Sequence, residues 1–203
     1  MAKVKSKTYH HGNLEEALLK AGLREARATG VKNLGINPLA KEVQVSPMAV
    51  YRHFSNAESL KANVSQLARE ELAKQMLKAI SAETDLQKRF QAVGRTYIKF
   101  ALNEPGLFSV AFVACEAGPS REDSPSAWGV FHGSILDLCN AGFINESEVE
   151  SVAAFAWAVV HGYAMLASGN NPMRPKVNEE LITDLLDRTW SGIIQSIARV
   201  KTQ

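Results

Sequence analysis

The chain has 203 residues, of which 46% are hydrophobic and 22% charged, enough apolar material for one large or two small cored domains. Its formal charge of +2 hides a division: residues 1–61 carry ten Lys or Arg against five Asp or Glu, and the remainder thirteen against sixteen. Two cysteines, Cys115 and Cys139, supply neither a disulfide framework nor a metal site. That cysteine usage makes a reducing cytoplasm the expectation, and no apolar run reaches the roughly 18 residues a bilayer span needs, so no membrane partner is expected.

Residues 1–12, with Lys3, Lys5 and Lys7 and no apolar repeat, are expected to be a flexible basic arm. Asn13, with Glu16 three residues on, has the spacing of a capping box for the first helix. Leu14, Ala17, Leu18 and Ala21 give that helix an apolar face, and Gly30 is placed to end it. The second helix is predicted from about Asn37 to Val43, with Pro38 tolerated in its first turn. Ser46 followed by Pro47 starts the third. The hydroxyl can accept an orphan backbone N–H, and the ring presets φ.

Ser55 and Glu58 repeat the capping-box spacing before a long fourth helix, with Leu60, Val64, Leu67 and Leu77 on its inner face. Further helices are predicted over Leu86–Leu102, stopped before Pro105, and then around residues 107–112. A polar segment, Gly118–Ser126, reads as a loop. Trp128–Cys139, Val149–Ala167 and Val177–Val200 complete about nine helices, with a break over Gly169–Pro175. No alternating pattern supports a sheet. The fold class is all-α. A helix-turn-helix head over 13–55 and a connecting helix over 56–84 precede an effector-binding and dimerisation domain over 85–203.

The stretch Leu39–Phe54 carries the function. Two short helices across a tight turn hold one helix out as a probe, and the DNA major groove is what such a unit most often probes. Val50 and Phe54 share an i,i+4 face and are expected to pack inward. Ser46, Pro47, Met48 and Ala49 lie at the leading end, while Tyr51, Arg52 and His53 can reach phosphate or a base edge. Packing duties for Tyr51, or a surface ion pair for Arg52, are the competing readings. Lys7 in the arm, Asn37 at the start of helix two, and Lys61 in helix four complete the candidate contacts to double-stranded DNA.

One such unit makes few contacts, so specific recognition implies a twofold pair. Leu181, Leu185, Ile193 and Ile197 belong to a last helix more apolar than one small core needs, which suits a homodimer surface or ordinary internal packing.

The segment Tyr9-His10-His11-Gly12-Asn13-Leu14, with Ala40, Val45-Ser46 and Tyr51-Arg52-His53-Phe54, resembles the N-terminal pattern of the TetR/AcrR family of bacterial transcription regulators. Trp157 and His161-Gly162 resemble the WHG signature of a C-terminal regulatory domain found in part of that family. The resemblance implies that helices one to three bind DNA, helix four transmits a ligand-dependent shift, and the last two helices form a four-helix dimer interface. The chain departs from the pattern at three places. Gly35 stands where Ser or Thr is usual, Gln44 where glycine is common in the turn, and Ala57 where a lysine often meets phosphate. Lys61, one turn later, is the candidate to compensate.

Phe100, Phe108, Phe112, Trp128, Phe131, Trp157 and Met165 are candidate walls of an effector pocket, with His132 or His161 orienting a small molecule, or else they are plain core. No cofactor is expected beyond an unidentified small-molecule effector. The histidines lack a nearby carboxylate pattern, and no H-E-x-x-H, nucleophile elbow or phosphate loop is present, so an enzyme is not expected. The reading is a ligand-responsive dimeric regulator, more naturally a repressor, on a palindromic operator. The alternative is a small-molecule-binding helical dimer whose DNA head is degenerate.

Overall fold

The computed structural model of the chain describes residues 11–112, 124–168 and 174–200, the side chains of 11–13 and 196–200 excepted. Nine α-helices and one 3-10 turn make up these residues, and no strand is present among them. The head comprises α1 (His11–Thr29), α2 (Ile36–Val43) and α3 (Pro47–Tyr51). The long α4 (Ala57–Ile80) runs from it into a body of α5 (Leu86–Asn103), α6 (Pro105–Phe112), α7 (Ala127–Asn140), α8 (Val149–Ser168) and α9 (Glu179–Val200).

The helix ends follow local chemistry. Gly30 leaves α1 at φ +65°, where a Cβ is penalised, and its N–H bonds Ala26 O at 2.8 Å. The side chains of Asp85, Ser126 and Asn178 accept backbone N–H bonds at the starts of α5, α7 and α9. Pro38 falls at the third position of α2, where its missing donor costs nothing.

Two expected caps are corrected. α1 already begins at His11, which puts Asn13 inside the helix, and Glu16 pairs with Lys20 instead of reaching back. At α4 the cap is Asn56, whose side chain accepts Ser59 N–H at 2.7 Å, rather than Ser55. The amide side chain lies one residue nearer the first helical turn, so it reaches the orphan donor that Ser55 cannot. Leu77 is also corrected. It is exposed, while Leu60, Val64, Leu72 and Met76 carry the inner face of α4.

α5 is the central strut. It packs against α4, α6, α7, α8 and α9, and its buried Phe90, Val93, Tyr97, Ile98 and Phe100 reach several of them. α4 touches α1 on one side and α5, α6 and α7 on the other, so it joins head and body mechanically. α6 does so as well, since it packs on both α1 and α4. One helix region, 146–168, is long and apolar enough to cross a bilayer by length and composition alone. Its Val152, Ala153, Ala156, Val160 and Ala164 are buried in the core, and its outer side is also apolar.

Candidate nucleic-acid interface and effector cluster

The head is sealed from within. Val50 and Phe54 are buried with Leu18, Leu39 and Ala40, so the opposite side of α3 must face solvent. Ser46 accepts Ala49 N–H at 3.3 Å, and Pro47 occupies the first helical position. The turn into α3 closes with Val45 N–H on Ala40 O at 2.9 Å and Gln44 N–H on Lys41 O at 3.2 Å. That pairing is a Schellman motif, and it forces Gln44 to φ 60°, ψ 45°. Gly35 stands at the start of α2 with no side-chain bond to the helix.

The outward residues differ in what they offer. Met48 is 67% exposed and Tyr51 51% exposed. Ser46, Pro47, Arg52 and Asn37 are exposed too, while Ala49 is half-buried against the core. Arg52 has no ion-pair or hydrogen-bond partner among the described residues, nor does the Tyr51 hydroxyl. Much of the remaining head charge is already matched. Lys20 pairs with Glu16, Arg24 with Glu42, and Arg27 with both Glu71 and Glu104. Lys61 is tied to Glu58 at 2.8 Å with most of its side chain covered. The cations left open among the described head residues are Lys32, Lys41 and Arg52, and only Arg52 adjoins the exposed side of α3.

His53 is largely covered: its side chain is 15% exposed and its Nδ1 lies 3.6 Å from Glu15 of α1. The residue follows the last helical turn, where the chain bends back toward α1. Lys7 lies outside the described residues.

In the body, rings from four helices converge. Tyr97 of α5 lies 5.0 Å from Trp157 of α8 and 5.7 Å from Phe108 of α6, centroid to centroid. Phe112 lies 6.1 Å from Trp157, and Phe131 of α7 lies 5.6 Å from it. Trp157 and His161 stack at 5.5 Å with an interplanar angle of 9°, as i,i+4 neighbours can. Trp128 stacks on His132, whose Nε2 is 3.4 Å from Glu150. Met165 lies one further turn along the Trp157–His161 face and is exposed. Phe100 stands apart: it is buried, borders a cleft with Lys78 of α4 and Asn103, and shares no ring contact with the cluster among the described residues.

Tyr97 takes the place expected of Phe100 and is not among the residues expected from the sequence. Its hydroxyl is 2.7 Å from His161 Nδ1. The signal was available in the spacing Phe90–Val93–Tyr97–Ala101, the buried stripe of α5. Burial pushes the Tyr97 phenol far above its ordinary value and pulls the His161 imidazole below its own. Among the described residues no group of three or more His, Cys, Asp or Glu is arranged to hold a metal ion. Cys139 is a free thiol, and Cys115 lies outside the described residues.

The last helix is divided. Ile193 is 2% exposed and, with Ile182 and Leu186, packs into its own protomer's core, which corrects its expected place on a dimer surface. Leu181 and Leu185 are half-buried, and the side chain of Ile197 lies outside those described. Among the described residues, an apolar outward face lies on α8, through Ala154, Phe155, Ala158 and Leu166. A Cβ on Gly162 would meet nothing within 4 Å, and one on Gly192 of α9 would lie 3.7 Å from the Phe155 ring.

An all-helical fold with a helix-turn-helix head on a helical body, and an exposed Arg52 just past the probe helix, has the architecture of a DNA-binding regulator. Residues 18–64 match the family model of bacterial regulatory proteins, tetR family, and residues 90–189 match that of the tetracyclin repressor-like C-terminal domain. The chain belongs to the TetR family of transcriptional regulators. No curated protein matches the sequence. Among solved structures, a protein of unknown function from Rhodococcus sp. RHA1 is 26% identical at a TM-score of 0.67, over 92% of this chain and 98% of that one. BioQ of Mycobacterium smegmatis shares the fold at 16% identity and a TM-score of 0.61, over 89% and 97% of the two chains. A TetR family transcription regulator from Marinobacter aquaeolei VT8 does so at 18% and 0.54, over 87% and 93%.

Proposed function

We propose that the protein is a ligand-responsive homodimeric repressor that binds a palindromic operator in the cytoplasm and catalyses no reaction. The observation that carries the DNA part is the outward side of α3, where Met48, Tyr51 and Arg52 stand exposed while Val50 and Phe54 lock the helix from behind. Arg52 offers an unmatched guanidinium to phosphate or a guanine edge, Tyr51 offers a phenolic donor, and Met48 offers apolar contact to a thymine methyl.

Dimerisation is supported by the outer face of α8. Phe155, Ala158, Gly162 and Leu166 recur every three to four residues, and an apolar stripe of this kind on an exposed helix needs a partner. The room above Gly162 lets a second copy approach closely. Two probe helices carried by a twofold pair then read half-sites separated by a helical turn or a multiple of it. An effector held by the ring cluster would act through α4 and α6, the helices that touch both cluster and head.

Selection of bound fragments from a random duplex library tests this directly. An inverted repeat is the expected product, and Arg52→Ala is expected to weaken its binding about tenfold and to flatten the salt dependence by about 0.9 per protomer. Failure to retain any defined fragment at low salt would leave the alternative, a ligand-binding dimer with a degenerate head. Gly35, Gln44 and Ala57 motivate that second reading.

A further inference from the structure

We propose that the ring cluster binds an uncharged, flat aromatic compound carrying an acceptor oxygen, which takes a hydrogen bond from His161 Nε2. This names the chemistry of the effector and rests on the regulator reading above.

The Tyr97 hydroxyl lies 2.7 Å from His161 Nδ1 and makes no other hydrogen bond among the described residues. Its burial keeps the phenol protonated throughout the neutral range. The phenol proton therefore goes to Nδ1, and the neutral imidazole carries its own proton on Nε2. Nε2 has no protein partner among the described residues. No buried side-chain nitrogen or oxygen there is left unsatisfied, so Nε2 reaches open space. The Trp157 indole N–H, one turn earlier, is in the same position. One turn of α8 thus presents two N–H donors and no acceptor, on rings stacked within 9° of parallel. At the rim, Trp128 is 48% exposed and supplies a further aromatic face.

The surroundings decide the charge of the ligand. The ring neighbours of His161 are Tyr97, Phe108, Phe112 and Trp157, none of them charged. An ammonium or carboxylate seated there would leave water with no counter-ion among the described residues at that end. Arg69, beside the end of α6, donates to Ala111 O and Ser65 Oγ, and Glu150 stands beside His132. A purely apolar ligand fails for a different reason. It would strip water from both N–H groups and return nothing. A planar ring system with a carbonyl or ether oxygen satisfies both conditions.

The purified full chain titrated calorimetrically with four probes tests the assignment: naphthalene, 2-acetylnaphthalene, 2-naphthoate and trimethyl(2-naphthyl)ammonium. The ketone is expected to bind at least about tenfold tighter than each of the others. His161→Phe is expected to bring it within about twofold of naphthalene, whose own affinity persists. Tyr97→Phe releases the tautomer and is expected to narrow the same preference several-fold. A charged probe binding best, a ketone no better than naphthalene, or no binding of any probe by the unaltered chain overturns the proposal, whether or not the variants fold. An undiminished ketone preference in a folded His161→Phe variant overturns it as well. Duplex retention by the same ligand-free preparation is read separately, and its loss alone would overturn the regulator reading while leaving the probe ranking to stand.

Discussion

Gln44 occupies a left-handed backbone position at φ 60°, ψ 45°, where a Cβ crowds the following carbonyl at a cost of about 1 kcal/mol or more. The Schellman bonds on either side hold it there, so the turn of the head forms without the glycine it would favour. Gln44→Gly is expected to raise stability by about 0.5–1 kcal/mol in urea unfolding, the relief of strain outweighing the added freedom of the unfolded chain. An unchanged midpoint would mean that the turn is not strained. His161 makes a second prediction at this scale. Burial lowers its pKa below the ordinary 6.5, so the folded chain takes up that proton less readily than the unfolded chain. The stability it permits is complete above about pH 6.5 and declines as pH falls from there through the folded value. The imidazole C–H resonance of His161 should titrate below 6.5, and the melting temperature should fall on acidification through that window, less steeply in His161→Phe. A midpoint at or above 6.5 contradicts this account.

Among the elements, α6 is the short helix with the most consequential neighbours. At one end Gly106 lies against the close of α1: a Cβ there would sit 2.3 Å from Ala26 O and 2.7 Å from Arg27 O, both immovable backbone. At the other end Arg69 of α4 donates to Ala111 O at 2.8 Å. Between them, Phe108 and Phe112 belong to the ring cluster. The Arg27 guanidinium ties the same corner together, reaching Glu71 on α4 at 2.6 Å and Glu104 at the end of α5 at 2.9 Å. The eight-residue α6 thus runs from a close seat on the head to the cluster itself, with no room for a Cβ at its glycine end. Gly106→Ala is expected to destabilise the chain by about 1–3 kcal/mol, because α6 must move off α1. Operator affinity should fall with it, even at temperatures where the variant is fully folded. Unaltered thermal stability with unaltered DNA binding would show that this seat is loose.

For the whole molecule, the proposed pairing would have to hold two heads at one separation. The apolar outer side of α8 supports a paired arrangement, and the mostly buried inner side of α9 explains why Ile193 cannot contribute to it. Placing charge in the stripe should separate the copies without disturbing either core, since Phe155 and Leu166 are both exposed in the single chain. Light scattering on Phe155→Glu/Leu166→Glu is expected to give a monomer, still helical by circular dichroism, whose grip on an inverted repeat drops to that of a single half-site. A persistent dimer would move the interface elsewhere.

Local chemistry alone determined the helical class, most helix ends and the probe helix, because caps, turn residues and apolar spacing act over a few residues. Ser46-Pro47, Gly30 and the Val50/Phe54 pair could be read in this way, and so could the family resemblance. The cap of α4 was missed by one residue because Ser55 and Asn56 are both good caps, and only the entry angle of the chain chooses between them. What the tertiary structure decided are the facts that depend on partners far apart in the chain. Tyr97 meets His161 across 64 positions, His53 folds back to Glu15, Phe100 borders a cleft with Lys78 of α4, and Ile193 is consumed by its own core. Periodicity places a residue on a side of its helix, but which neighbour that side meets depends on how the helices pack across the whole molecule.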